Sequence, residues 1–120
     1  MLPPLIAALD GAGEVPGPGA PTGHGAAGIT MDPTLRTICY SLHVVGIAPA
    51  TAAHIHEGAA GVAGGVVVPF DAPTGGDTSG CAQNLDPELV ARIQQNPAGF
   101  YVNVHNADFP NGAIRGQLGR

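Results

Sequence analysis

The sequence contains no lysine and no tryptophan, and only 4% of its 120 residues are aromatic. Four arginines stand against nine acidic residues, which gives a formal net charge of −5 at pH 7. Binding to nucleic acid depends on a concentrated basic patch, so nucleic acid is not expected as a partner. Because aromatic side chains are scarce, the core must be built from aliphatic residues.

Long apolar runs are missing as well. No stretch approaches the roughly 20 apolar residues that a membrane-spanning helix needs, so no membrane span is expected. The first four residues, MLPP, carry neither the basic flank nor the apolar segment of a signal peptide. We therefore expect that an exported product would take its signal from outside this sequence.

Turn-forming residues are abundant instead, with 19 glycines and 12 prolines. They separate short segments in which apolar and polar residues alternate, and this pattern is typical of strands. The expected strands are residues 5–9, 24–31, 36–45, 53–58, 66–70, 100–105 and 113–118, whereas residues 71–80 are expected to be a polar turn region. A short helix should begin at Asp86, as N-cap, with Pro87 in the first helical position. The sequence predicts one domain over residues 1–120, an all-β antiparallel Greek-key sandwich or barrel with one short helix.

Two histidines in one predicted strand are the most informative feature. His54 and His56 flank Ile55, so the two imidazoles point to one face while Ile55 points to the core. Their Cα atoms would be about 6.5 to 7 Å apart, a spacing at which both rings can bind one metal ion. His105 ends a later valine-rich strand, again opposite the core. Three imidazoles with an open position suit Cu(II) or Zn(II), whereas Ca(II) and Mg(II) prefer oxygen ligands.

The fourth ligand stays open between His43, His24, Glu57 and water. If residues 46–51 form a direct hairpin loop, His43 lies opposite His54 and joins the site. If this connection instead crosses between sheets, His43 ends on the wrong face. The alternative to a metal site is that the histidines bond to backbone and loops and fix the ends of strands.

Cys39 and Cys81 are the only cysteines, and an even count suits one disulfide. A disulfide implies an oxidising compartment, whereas the alternative is two separate buried thiols. Glu14 and Arg115 are expected to pair and tie the N-terminal loop to the last strand. Asn103 shares a strand face with His105 and is expected either to orient it or to cap exposed backbone.

Three motifs resemble the CHRD domain family, which is named for its repeats in chordin and also occurs as single-domain secreted bacterial proteins. They are residues 9–16 (LDGAGEVP), residues 53–61 (AHIHEGAAG), and residues 101–105 (YVNVH) with the following 109–118 (FPNGAIRGQL). The resemblance covers nearly the whole chain. It implies a CHRD domain over residues 1–120, and Cys39 and Cys81 resemble the cysteine pair of one bacterial branch.

A looser resemblance, to copper-zinc superoxide dismutase, implies a metal. By this likeness His54 and His56 match its paired copper ligands and His105 the later one, on a dismutase-like Greek-key fold. The chain lacks the long loop that carries the bridging histidine and the remaining zinc ligands, so a single ion is expected.

We therefore predict a secreted or periplasmic β-sandwich that binds copper, with zinc as the alternative, through His54, His56 and His105, with His43 as a candidate fourth ligand. The alternative function is an extracellular interaction module whose histidines are structural. An enzyme of dismutase type ranks last, and no catalytic residue is assigned because no nucleophile or acid–base pair stands out. The protein partner and the oligomeric state, including a homo-oligomer, stay open.

Overall fold

The computed structural model describes residues 3–120 and consists of eight antiparallel strands and one α-helix. The strands are β1 (Leu5–Asp10), β2 (His24–Asp32), β3 (Thr37–Val45), β4 (Ala50–Glu57), β5 (Val66–Phe70), β6 (Asp77–Ala82), β7 (Phe100–Asn106) and β8 (Ile114–Gln117). The helix α1 (Pro87–Gln95) and a 3₁₀ turn (Pro97–Gly99) connect β6 to β7. The all-β prediction with one short helix is confirmed. Met1 and Leu2, on which part of the signal-peptide expectation depends, lie outside the described residues.

The strands form one sheet in the order β5-β4-β7-β8-β1-β2-β3-β6, and its two end strands contact each other. The sheet is therefore a nearly closed barrel. β3 pairs with β2 and β6, whereas β4 pairs with β5 and β7. The connection from β3 to β4 thus crosses between the two halves of the sheet. The direct-hairpin alternative, which would have placed His43 opposite His54, is wrong.

Residues 71–80 were expected to be a polar turn region, but residues 77–82 form the strand β6. This strand pairs with β3 from His43↔Asp77 to Ile38↔Ala82. The segment is polar and contains a glycine, so it has no alternating apolar pattern to reveal a strand. Its register places Cys81 directly opposite Cys39, and the two form a disulfide, as predicted. The alternative of two separate buried thiols is thereby excluded.

The core lies inside the barrel and is mainly aliphatic, as the composition implies. The inward residues of β3 and β7 are buried as the alternation predicts, among them Ile38, Leu42, Val102 and Val104. Tyr40 and Phe70 stack with ring centroids 4.0 Å apart and thereby link β3 to β5 across the nearly closed seam.

The helix begins as predicted, because the Asp86 side chain accepts a hydrogen bond from the backbone N–H of Glu88 and Pro87 follows it. Leu89, Val90 and Ile93 form its buried face and join the core. Within residues 3–120, no helix is long and apolar enough to cross a bilayer.

Candidate metal centre

Three histidines meet on the outer face of β4 and β7. His54 and His56 lie on this face of β4, while Ile55 between them is fully buried. His105 lies on the neighbouring β7, opposite Ala52, which is two residues from His54 on the same face. One nitrogen from each ring lies within 4.8 Å of the others. The alternation along β4 and the pairing of β4 with β7 therefore bring together the residues that the sequence singled out.

His56 has a defined tautomer and an unused nitrogen. Its Nδ1 is 3.0 Å from the carbonyl oxygen of Gly64. A carbonyl oxygen only accepts hydrogen bonds, so Nδ1 carries the proton and Nε2 carries the lone pair. His56 is only 7% exposed, and its Nε2 is buried without a hydrogen-bond partner. Buried polar atoms are normally satisfied, so this lone pair needs an explanation, and a bound metal ion provides one.

His105 is held in the same way. Its Nδ1 donates to the carbonyl oxygen of Pro110 at 3.0 Å, which leaves the lone pair on Nε2. This Nε2 lies 3.3 Å from Nδ1 of His54. Two nitrogens that each lie about 2.0 to 2.1 Å from one tetrahedral ion are about 3.3 to 3.4 Å apart, so the pair has the spacing of two ligands of one ion. Without metal, the same spacing allows His54 to donate a hydrogen bond to His105.

The surroundings of His54 and His105 favour the neutral form of each ring. Burial lowers the pKa of His54, and the neighbouring imidazoles of His105 and His56 lower it further. Burial also lowers the pKa of His105, partly opposed by its hydrogen bond to Pro110 and reinforced by His56. At neutral pH, the lone pairs of His54 and His105 are therefore available to a cation.

The other residues considered as ligands lie elsewhere. His43 is on β3, where its Nδ1 is 2.6 Å from Oδ1 of Asp77 in an exposed pair. His24 begins β2 opposite Asp10 of β1. The carboxylate of Glu57 accepts a hydrogen bond from Arg92 at 3.1 Å. Within residues 3–120, only the three histidines make up the cluster of candidate ligands.

Sequence reasoning missed Tyr101. It was expected on an outer face, yet it is only 3% exposed, because residues 58–65 and Arg115 cover it. Its ring stacks on His56 with centroids 4.9 Å apart and planes 4° from parallel. Its hydroxyl accepts a hydrogen bond from the backbone N–H of Gly64, whose carbonyl also binds His56. The only feature of the sequence that could have indicated a place for Tyr101 beside the histidines was its position on the same face of β7 as His105.

A buried polar layer lies beside Tyr101. Glu14 and Arg115 are 5% and 2% exposed, respectively, and Asn103 is buried with them. The predicted ion pair between Glu14 and Arg115 is wrong, because within residues 3–120 the ion pair that an arginine makes is Arg92–Glu57. Arg115 instead donates to the carbonyl of Ala59 and to the side chain of Gln117. The carbonyl of Pro110 orients His105, which is one of the two roles considered for Asn103.

Glu14 is expected to make stability depend on pH. Burial raises the pKa of its carboxyl from 4.5 to about 7, although Asn103 and the charge of Arg115 oppose the rise. The unfolded chain loses this proton first, so the free energy of unfolding should fall as pH rises from about 4.5 to about 7 and then level off.

Glu14→Gln should abolish this fall in the free energy of unfolding, because glutamine does not ionise. We expect the variant to match the wild type near pH 4.5 and, after allowance for solvent screening, to be more stable by about 1 to 2 kcal/mol near pH 8. Urea unfolding at both pH values measures this, and the difference between the proteins cancels the titration of the histidines. A difference that does not change with pH would contradict the expectation.

The comparisons with known proteins agree with the motifs. The family model of the CHRD domain matches residues 5–118, from the start of β1 to the residue after β8. No curated protein matches the chain. Since the match spans nearly the whole sequence, the chain belongs to the CHRD domain family.

Proposed function

We propose that the protein binds one copper ion through His54, His56 and His105, as a binding, storage or redox-capable module. The observation that carries the proposal is the buried Nε2 of His56, which has a lone pair but no hydrogen-bond partner. One nitrogen from each of the three imidazoles lies within 4.8 Å of the others. Both of the other rings are kept neutral by burial.

The ligand set supports a transition metal and, among the common ones, copper. All three ligands are imidazoles, which suit copper, zinc, iron and nickel, whereas Ca(II) and Mg(II) need several oxygen ligands. At a given nitrogen site, Cu(II) binds more tightly than Zn(II) or the other divalent ions of the first row. Zinc is the alternative ion.

Secretion to the cell exterior or the periplasm is part of this proposal. The CHRD domain is an extracellular type of domain, and the Cys39–Cys81 disulfide is consistent with secretion. The histidine cluster would then meet metal outside the reducing cytoplasm.

Metal titration of the purified protein tests the proposal. We expect the protein to bind one equivalent of Cu(II), with binding complete at submicromolar concentration. The bound Cu(II) should give an electron paramagnetic resonance spectrum with nitrogen hyperfine structure, and added Cu(II) should displace bound Zn(II). His43→Ala is the matched control and should bind copper equally well, because His43 pairs with Asp77 outside the cluster.

Two outcomes would contradict the proposal. One is the absence of binding at micromolar copper. The other is a loss of binding in His43→Ala, which would place the ion elsewhere. The first result would favour the alternative, an extracellular interaction module with structural histidines.

A further inference from the structure

A positive charge without an ion pair lies behind His56. Arg115 is 2% exposed, and its guanidinium carbon lies 3.4 Å from the centre of the Tyr101 ring. We propose that this guanidinium shifts the relative affinity of the histidine cluster toward Cu(I) and away from Cu(II). The inference rests on the proposed function and concerns which form of copper the site holds.

The order of the strands places Tyr101 between the cation and the ligand. β7 lies between β4 and β8 in the sheet, so His56 and Arg115 approach the Tyr101 ring from the strands on its two sides. His56 stacks on this ring with planes 4° from parallel. The imidazole, the phenol and the guanidinium therefore form a column that ends at the metal ligand.

Little around Arg115 offsets its charge. Its hydrogen bonds go to the neutral carbonyl of Ala59 and the neutral side chain of Gln117. The acid beside it is Glu14, which makes no ion pair within residues 3–120 and whose pKa of about 7 keeps it largely protonated in mildly acidic solution. The cluster itself contains no carboxylate or thiolate.

A nearby cation acts more strongly on the doubly charged ion than on the singly charged one. At an effective dielectric constant of about 20, a unit charge roughly 10 Å away changes the relative affinity for Cu(II) and Cu(I) by about tenfold. Three neutral nitrogen ligands do not counter this preference, because they bring no negative charge to Cu(II).

Affinities for both ions, measured by competition with a Cu(I)-selective and a Cu(II)-selective chelator at pH 6, test the proposal. Arg115→Gln, which removes the charge, should raise the affinity for Cu(II) relative to Cu(I) about tenfold. Arg115→Lys keeps the charge and should retain most of the wild-type ratio. Arg92→Gln is the matched control, because Arg92 is half-exposed and paired with Glu57, and it should leave the ratio unchanged.

Glu14→Gln gives a second measurement that does not disturb Arg115. Between pH 6 and pH 8.5 the wild type should lose part of its preference for Cu(I), because ionised Glu14 offsets the guanidinium. Arg115 is the charged group that acts on Glu14, and Asn103 beside it is neutral. In Glu14→Gln this pH-dependent loss should be absent, and the comparison of the two proteins cancels any effect of pH on the histidine ligands that both share.

The outcomes separate this inference from the proposed function. If copper does not bind, the proposed function fails. The inference about Arg115 is wrong if copper binds but two comparisons show no difference. These are an equal ratio of Cu(II) to Cu(I) affinity in wild type and Arg115→Gln, and an equal pH dependence of this ratio in wild type and Glu14→Gln. The proposed metal site would then still stand.

Discussion

Replacing His56 with phenylalanine is expected to lower copper affinity by about a hundredfold or more while leaving the fold intact, because loss of a direct ligand should cost at least as much as loss of a group that only orients one. Phenylalanine preserves an aromatic ring against Tyr101 but offers no lone pair. The substitution loses the hydrogen bond to Gly64, which contributes about 0.5 to 1.5 kcal/mol to stability. It also removes the buried nitrogen that has no partner, and this relieves a destabilisation of about 1 to 3 kcal/mol. The free energy of unfolding without metal should therefore change by only about 1 kcal/mol.

Chelator competition and urea unfolding of the metal-free protein give the two numbers for His56→Phe. Both measurements are needed, because replacing a purely structural histidine would lower the stability and leave copper affinity unchanged. Unchanged copper binding together with a loss of more than about 3 kcal/mol in stability would show that His56 holds the fold and not an ion.

Substituting alanine for Gly64 should cost about 3 kcal/mol or more, the upper range for overpacking, because there is no room for a side chain. A Cβ at this position would overlap the backbone carbonyl of Glu57, which cannot move without disturbing β4. The loop would have to shift, and the shift would break the contacts of Gly64 with His56 and Tyr101. We therefore expect copper affinity to fall together with stability, measured by the same titration and unfolding experiments.

The neighbouring glycine provides the control. A Cβ at Gly65 would meet no atom within 4 Å, and its backbone does not require glycine. Gly65→Ala should therefore change stability by no more than about 0.5 kcal/mol. Equal losses at both positions would mean that loop flexibility, rather than the close approach of Gly64 to Glu57, explains the effect.

The sequence predicted what depends on local alternation. Side chains two apart on a strand share a face, so the shared orientation of His54 and His56 followed from their spacing alone. The same rule placed His105 opposite the core of β7. Whether the two strands were neighbours was a question of topology, and the motif resemblance rather than the spacing pointed to it.

What the sequence did not reveal depends on pairing between distant segments. The distance of His43 from the other histidines depends on whether β3 and β4 are neighbours in the sheet, and the alternation of apolar and polar residues within each strand does not determine this. β6 escaped prediction because its stability comes from its pairing with β3 and from the disulfide, not from its own alternation. Tyr101 was expected on an outer face but is buried, because residues 58–65 and Arg115, which lie far from it in the sequence, cover it.

The separation of the three histidines along the chain has a consequence for biosynthesis. His54 and His105 are 51 residues apart and meet only when β7 pairs with β4. A nascent chain that has emerged only through β4 offers two of the three imidazoles, and the third follows only after β5, β6 and the helix. The complete ligand set therefore exists only once β7 has paired with β4, so an ion held by all three rings is captured after these two strands have come together.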